Sequence, residues 1–329
     1  MLSSQTEQLI TPIQAPKIGK INRKRLFLRL GGTALLVFFL WRLNLNLGQV
    51  ADGLLKANLW LVAMSILLIF PIILLKTWRW CLLLKSLNIP LSFGRAYHLY
   101  ALGLSAGSFT PGQLGDAIKA WRLRDRGHSL AQSLLSVVLD RLFDIIVLLA
   151  LAGGSILILG PAFIGEWPTL LLLLTGTGIG LVILGFASLR QRLLSLLKHV
   201  LGNKIKEGSE ATVFPLSKTT ASHLLVCLLI TVLTMFTAIM RTWLLAFAIG
   251  MNLSPLEVIA ASSLATFAGL IPLSVSGIGA RDLTLIGILA QMGFARESAL
   301  VLSTLLLALN LVNLLVGMAI WFSRPRRFK

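Results

Sequence analysis

Residues 59–87 read LWLVAMSILLIFPIILLKTWRWCLLLKSL, and this apolar run decides the class of fold. A helix of about 20 apolar residues crosses the hydrocarbon core of a bilayer, and this run exceeds that length. Similar runs cover residues 26–43, 130–159, 168–189, 221–250 and 299–322. The sequence therefore predicts an all-α polytopic membrane protein with about six spanning helices.

The composition agrees with this class of fold. Of the 329 residues, 56% are hydrophobic and only 13% are charged, whereas a soluble globular domain carries about 25% charged residues. The formal net charge of +18 would suggest nucleic acid on a soluble domain. On a membrane protein it indicates cytoplasmic loops rich in Lys and Arg. A soluble enzyme and a soluble nucleic-acid binder are therefore excluded.

Two other segments, residues 96–123 and 258–293, are apolar but interrupted by Gly, Ser and Pro. Basic residues concentrate in a tail at 1–25, after the second span, near 119–126, in a loop at 190–218 and in a tail at 324–329. All of these lie on one side if both tails are cytoplasmic. Under that topology the two broken segments do not cross the membrane. We predict two re-entrant hairpins that enter from opposite faces, each buried in protein or lining a wet cavity.

An internal repeat supports the opposite directions of the hairpins. The repeated elements are a basic-Thr-Trp triplet, an Asn…Pro-Leu group nine or ten residues later, and then Pro, Gly and Asp. In the first half they lie at 76–78, 88–91 and 111–116. In the second half they lie at 241–243, 252–256 and 272–282. One membrane domain at 26–323 would then contain inverted halves at about 26–160 and 168–322, as in many transporters. Coincidental spacing in a Leu-rich chain is the alternative.

The first hairpin contains Pro111, Gly112, Gly115, Asp116 and Lys119. Pro and Gly predict a helix break at 111–112, and the spacing of Asp116 and Lys119 places both on one face of the returning helix. The start of a helix inside a protein offers free N–H groups to an anionic head group. Asp116 is equally well explained as the cap of that helix.

The second hairpin contains Ser274, Gly277, Gly279, Arg281 and Asp282. An Arg within the membrane is a functional-site hypothesis by default, and its fork of donors suits phosphate. The alternative is an Arg281–Asp282 pair at the outer surface. The Gly-rich string lacks the Gly-Lys-Ser/Thr ending and the flanking strand of a nucleotide-binding loop.

The span at 130–159 carries Asp140, Arg141 and Asp144. The two carboxylates lie four residues apart and share a face, and Arg141 can pair with Asp144. Charges at this depth face a protein interior. They could bind a cationic group, relay protons or lock helices together.

Three other cations, Lys76, Arg79 and Arg241, flank tryptophans, which favours anchoring at the membrane interface. The two cysteines lie in apolar runs, and the four histidines share no metal-ligand spacing. No Ser/His/Asp set is evident. We therefore expect no metal, no cofactor and no enzyme activity.

The motifs Phe-Thr-Pro111-Gly112-x-x-Gly115-Asp116-x-x-Lys119, Asp140-Arg141-x-x-Asp144 and Pro272-x-Ser274-x-x-Gly277-x-Gly279-x-Arg281-Asp282 occur in this order. Together they resemble the lysylphosphatidylglycerol synthase transmembrane-region family. The resemblance implies a multi-span fold with re-entrant helices and, in the best-known members, movement of an aminoacylated phospholipid between leaflets. Those members add a cytoplasmic aminoacyl-transfer domain, whose activity we expect to be absent here because the chain ends at Lys329. Other relatives stand beside glycosyltransferases or isoprenoid genes, so the head group is not carried over.

The leading hypothesis is a translocator of a lipid or lipid-linked head group in the cell membrane, with both tails cytoplasmic. The hairpins would meet near the midplane, where Arg281 and the helix start at Gly115 and Asp116 would receive a phosphate. Asp116, Asp140 and Asp144 would meet a cationic or hydroxylated group. The expected partners are membrane lipids, either phospholipid or isoprenoid-linked, and a membrane glycosyltransferase, but no nucleic acid.

Two other classes stay open. One is a non-catalytic membrane partner of a glycosyltransferase or of a lipid or polysaccharide pathway. The other is an enzyme that transfers a lipid-linked sugar. The enzyme is disfavoured because that chemistry needs an acidic pair in an early outer loop, and the first outer loop offers only Asp52.

Overall fold

The computed structural model describes residues 47–108, 110–125, 128–159, 176–178, 218–270 and 279–323. Its helices in chain order are α1 (Leu47–Leu55), α2 (Leu59–Leu67), α3 (Ile69–Ser86), α4 (Phe93–Ser108), a 3-10 helix (Pro111–Ala117), α5 (Ile118–Arg124), α6 (Leu130–Leu159), α7 (Lys218–Ala248), α8 (Pro255–Leu270), α9 (Ala280–Gln291) and α10 (Arg296–Phe322). These described ranges contain no strand.

The predicted all-α polytopic membrane fold is confirmed. Three helical stretches, Leu59–Ser86, Ser222–Ala248 and Arg296–Phe322, are long and apolar enough to cross a membrane. Helix α6 has 30 residues and a length of about 45 Å, which also suffices to cross, although it carries internal charges. Some predictions concern positions outside the described ranges. These positions are residues 1–43, residues 168–217 apart from 176–178, residues 324–329, and Ser274 and Gly277.

The second predicted span is one apolar run but two helices. Helix α2 ends at Leu67 and α3 begins at Ile69. Pro71 explains the joint, because proline lacks the N–H and its ring clashes with the carbonyl four residues earlier. The carbonyls in the last turn of α2 have no partner within that helix. One of them, that of Ser65, accepts a hydrogen bond from the Arg241 Nε at 2.9 Å.

The first broken segment consists of α4, the 3-10 helix and α5. Helix α4 ends at Ser108 and the chain resumes helical structure at Pro111, so the break begins slightly before the predicted 111–112. Thr110 stabilises the turn from inside: its Oγ1 donates to the carbonyl of Ala106 at 3.2 Å and accepts from the N–H of Gly115 at 2.6 Å.

The second broken segment consists of α8 and α9, separated by residues outside the described ranges. Helix α8 begins at Pro255, whose fixed φ suits the first helical position. Gly279 precedes α9 with φ +108°, a conformation that glycine adopts readily and other residues rarely do. Its N–H donates to the Asp282 Oδ2 at 3.2 Å, so Asp282 fixes the start of α9.

The two halves of the described chain share one order of helices. The series α3, α4, α5, α6 is followed by α7, α8, α9, α10, and α4 and α8 both have 16 residues. Helix α3 packs against α7, α4 packs against α10, and α8 packs against α6. Each broken segment therefore packs against the last helix of the other half, as a two-fold repeat requires. The opposite orientation of the halves in the membrane stays a prediction.

Two apolar cores hold the bundle together. One surrounds Trp80 and Phe143 between α3, α4 and α6, and the other surrounds Leu245, Leu285 and Leu302 between α7, α9 and α10. Many large apolar side chains lie on the outside of the bundle, among them Phe236, Leu311 and Leu315. This distribution suits a protein surrounded by lipid, because lipid tails are as apolar as these side chains.

Candidate functional site

Asp140 lies at the centre of a fully buried group of charges. The Arg79 Nε donates to its Oδ1 at 2.9 Å, and the Tyr100 hydroxyl donates to its Oδ2 at 2.8 Å. The Lys119 Nζ lies 3.4 Å from the same Oδ2. Three elements besides α6 therefore converge on this one carboxylate, since Arg79 comes from α3, Tyr100 from α4 and Lys119 from α5.

Asp144 lies one turn further along α6 on the same face, as the spacing predicted. It accepts from the Arg79 Nη1 at 2.6 Å and from the Lys76 Nζ at 2.5 Å. Arg79 Nη1 also donates to the Thr231 Oγ1 of α7 at 2.8 Å. The predicted pair of Arg141 with Asp144 is long, at 4.0 Å.

Asp116 is the third buried carboxylate. It pairs with Lys119 at 2.9 Å, as the spacing predicted, and with the Arg141 Nη2 at 2.9 Å. The Lys119 Nζ also lies 3.9 Å from the ring centroid of Tyr100 and 5.1 Å from that of Trp80. Such cation–π contacts are strongest where water is excluded.

These residues form what we term the ionic cluster, with the carboxylates Asp116, Asp140 and Asp144 and the cations Lys76, Arg79, Lys119 and Arg141. All three carboxylates are ion-paired, and the formal sum is one positive charge. The cluster ties α3, α5, α6 and α7 together, which favours the helix-locking alternative for these charges. Each carboxylate of the cluster already forms an ion pair within the protein, which disfavours binding of a cationic head group there.

The expectation that Lys76, Arg79 and Arg241 anchor at the membrane interface is wrong. Arg79 is fully buried and Arg241 is 8% exposed, while the side chain of Lys76 is 14% exposed. The neighbouring tryptophans do not indicate where the cations lie, because Trp80 is fully buried whereas Trp78 is 51% exposed. The two carboxylates of α6 were the usable signal, since buried charges require partners from elsewhere in the chain.

Both broken segments line a cavity of about 320 Å³, whose lining also includes Leu148, one turn along α6 from Asp144. Helices α6, α7 and α10 complete its walls. Its polar lining residues are Ser108, Thr110, Arg241, Thr242, Ser262, Ser263, Thr266, Arg281, Asn310 and Asn313. The two broken segments therefore meet inside the bundle at a cavity lined by both polar and apolar side chains, which we term the arginine cavity.

Arg281 enters the arginine cavity from the first turn of α9. Its Nε and Nη2 both donate to the Asp282 Oδ1, at 3.0 and 2.7 Å. Asp282 is 3% exposed and also accepts from the Ser303 Oγ at 2.7 Å. The predicted Arg281–Asp282 pair is thus present, and it lies within the helix bundle with its charges balanced.

Arg241 is the second arginine of the cavity and comes from α7. Its Nε donates to the carbonyl of Ser65 and its Nη2 donates to the Asn313 Oδ1 at 3.0 Å. Both acceptors are neutral, and within the described ranges no carboxylate forms an ion pair with Arg241. The contact of Arg241 with Asn313 was not predicted, because the two residues lie 72 positions apart in the chain.

A second cavity, of about 430 Å³, adjoins the first and is lined almost entirely by apolar side chains of α6, α7 and α8. Leu151 and Ile239 line both spaces. Two cavities, one with two arginines in a mixed lining and one with an almost entirely apolar lining, therefore share a wall inside one bundle.

The remaining predicted residues lie as follows. The N–H of Gly115 is already bonded to Thr110, so the helix start at Gly115 and Asp116 does not offer it to a phosphate. Pro111 and Gly112 begin the 3-10 helix. Among the residues that the structure describes, no group of three or more His, Cys, Asp or Glu side chains could hold a metal ion.

Comparison with known families identifies the chain. Residues 27–328 match the family model described as the lysylphosphatidylglycerol synthase TM region, which covers both broken segments, the ionic cluster and the arginine cavity. No curated protein matches. With a match over nearly its whole length, the chain belongs to the lysylphosphatidylglycerol synthase TM region family of lipid-related membrane proteins.

Proposed function

We propose that this protein translocates the head group of a membrane lipid between the leaflets of the cell membrane. The observation that carries the proposal is the arginine cavity next to the apolar cavity, inside a bundle that spans the membrane. A membrane lipid is itself a polar group attached to apolar chains. Its head group would lie in the arginine cavity while its chain lies against the apolar walls.

The broken segments supply the route to the cavity. Transporters with inverted repeats open alternately to the two sides, around a site formed by discontinuous helices. Here α4 and Thr110 come from one half of the chain and α8 and α9 from the other, and residues of all of them line the same space. With both tails cytoplasmic, the first segment would open toward the cytoplasm and the second toward the outside.

Within this proposal the charges have separate tasks. The ionic cluster holds α3, α5, α6 and α7 in a fixed arrangement. Arg281, oriented by Asp282, presents its remaining donors to the phosphate of the head group.

A vesicle assay tests the proposal. The purified protein is reconstituted into vesicles with a panel of chemically accessible lipids, and the redistribution of each lipid between leaflets is measured. We expect redistribution of at least one lipid, slowed about tenfold or more by Arg281→Ala because a charged contact is lost. The matched control is Arg124→Ala, whose side chain is 51% exposed at the end of α5.

The same assay can contradict the proposal. If folded wild-type protein redistributes no lipid of the panel, the translocator is ruled out and the role of a non-catalytic membrane partner takes its place. If Arg281→Ala and Arg124→Ala behave alike, the arginine cavity is not the route.

A further inference from the structure

We infer that the arginine cavity selects a head group of net negative charge, a phosphate ester without a compensating amine, and that Arg241 binds it. This inference rests on the proposed function and names the class of lipid for that same cavity. It follows from a difference between the two halves of the repeat.

The difference lies in one contact that both halves make. Lys76 and Arg241 begin the matching triplets of the repeat, on α3 and α7. Lys76 donates to Asp144 on α6, which is the last helix of the first half. Arg241 donates to Asn313 on α10, which is the last helix of the second half. A carboxylate in one half is thus replaced by a neutral amide in the other.

Within the described ranges, this replacement leaves the buried positive charge of Arg241 without a counter-ion. Arg241 is 8% exposed and lines the cavity, and its two hydrogen bonds in the structure go to neutral oxygens. A guanidinium has five N–H donors, so donors are left over for a ligand. A buried charge is unfavourable unless it is paired, and an anion in the cavity would complete the arrangement that Asp144 completes in the first half.

The other charges near the cavity disfavour a cationic head group. The other arginine of the cavity, Arg281, is balanced by Asp282, so the described lining has one positive charge in excess. The neighbouring ionic cluster is also formally positive, because four cations face three carboxylates. An aminoacylated head group would bring a further ammonium to a space where no described carboxylate lacks a cation. A phosphate ester meets one arginine fork and several hydroxyl and amide groups.

Two kinds of membrane lipid supply this chemistry, a glycerophospholipid such as phosphatidylglycerol and a polyprenyl phosphate. The experiment separates them. Purified protein is incubated separately with phosphatidylglycerol, undecaprenyl phosphate, phosphatidylethanolamine and lysylphosphatidylglycerol, and retained lipid is measured by native mass spectrometry. We expect phosphatidylglycerol or undecaprenyl phosphate to bind about tenfold or more tightly than lysylphosphatidylglycerol, and their order identifies the source.

The decisive variant is Asn313→Asp. Aspartate has nearly the same shape as asparagine, so this change places a carboxylate in contact with Arg241. Lys76 has such a contact with Asp144 in the first half. We expect it to weaken binding of the anionic lipid about tenfold or more, as should Arg241→Gln. Asn313→Ala removes the same amide without adding a charge and should bind the anionic lipid more tightly than Asn313→Asp. Arg124→Gln, on the exposed end of α5, is the control for a general change of charge.

Equal retention of anionic and cationic lipids, or unchanged binding in folded Asn313→Asp, would overturn the inference. Its failure is distinguishable from that of the proposed function. Redistribution in vesicles that is indifferent to Asn313→Asp refutes the anionic selectivity and leaves translocation standing. Anionic binding through Arg241 with no redistribution refutes translocation and leaves the binding site standing.

Discussion

Asp140 is a single buried side chain that contacts residues of several helices. Its partner Arg79 is 61 residues away in sequence and Tyr100 is 40 residues away, yet both donate to it in a fully buried position. Removal of one member of a buried ion pair leaves the other charges uncompensated, which is more unfavourable than the pair itself was favourable. The carboxylate is therefore expected to matter first for stability.

The first prediction concerns Asp140→Asn. We expect the free energy of unfolding to fall by about 3–5 kcal/mol, because Arg79 and Lys119 lose a shared counter-ion in a buried site. The measurement is denaturant or thermal unfolding in detergent. The control is Asp125→Asn, where a 50% exposed carboxylate should change the free energy of unfolding by less than about 1 kcal/mol. Equal effects of the two changes would contradict the structural role of the ionic cluster.

The second prediction concerns Gly103, where α4 packs against the ionic cluster. A Cβ at this position would lie 2.5 Å from the Asp116 Oδ1 and 2.8 Å from the Lys119 Cγ. We expect Gly103→Ala to lower the free energy of unfolding by about 1–3 kcal/mol, because it displaces a buried ion pair.

Gly154→Ala on α6 is the matched control for Gly103→Ala, since a Cβ there meets nothing within 4 Å. It should raise the free energy of unfolding by up to about 1 kcal/mol through helix propensity. The measurement is the free energy of unfolding of both variants under the same conditions. A Gly103→Ala variant as stable as the wild type would show that α4 lies further from the ionic cluster.

Local spacing was enough to predict some of these contacts and not others. Asp116 with Lys119, and Asp140 with Asp144, share helix faces, and those relations can be predicted from the sequence. The contacts of Asp140 with Arg79 and of Arg241 with Asn313 join helices far apart in the chain, so no local spacing contains them. Trp80, next to Arg79, favoured a position of the arginine at the membrane interface. In the structure, Trp80 and Arg79 are both buried inside the bundle.

At the scale of elements, the apolar runs and their interruptions predicted most of the helices. The break after α4 and the break before α9 both coincide with Pro and Gly positions of the sequence. The joint at Leu68 was missed, because the residues next to it are apolar and only Pro71 signals the kink. Close packing of α4 on α10 depends on Gly317, where an added Cβ would overlap the side chain of Ser105.

The third prediction tests how α1 packs on α10. A Cβ at Gly53 would lie 3.8 Å from the Cβ of Val301, which is the mean separation in a disulfide, about 3.8 Å. The double variant Gly53→Cys with Val301→Cys should therefore form a disulfide under mild oxidation, detected as a linked peptide pair by mass spectrometry. Cys81 and Cys227 are buried and should not compete.

Gly94→Cys with Val301→Cys is the negative control for this cross-link, because a Cβ at Gly94 has no neighbour within 4 Å. Free thiols in both double variants after oxidation would show that α1 does not pack on α10 in the membrane.

At the scale of the whole molecule, segments from both halves of the described chain line one cavity. The repeat predicted from the sequence agrees with the shared order of helices and with the exchange of packing partners between the halves. The asymmetry was not predictable, because it lies in the side chain that meets each matching cation: Asp144 for Lys76 and Asn313 for Arg241. That difference gives the arginine cavity its excess positive charge.

The most direct test of the account is to ask where a phosphate head group lies in the membrane-embedded protein. A phosphatidylglycerol analogue with a photoreactive head group is activated in vesicles containing the protein, and labelled residues are mapped by mass spectrometry. The account predicts labels at 262–266 on α8 and 310–313 on α10, which line the arginine cavity, and their loss in Asn313→Asp. Labels confined to outward-facing residues such as Leu225 and Leu315 would contradict it.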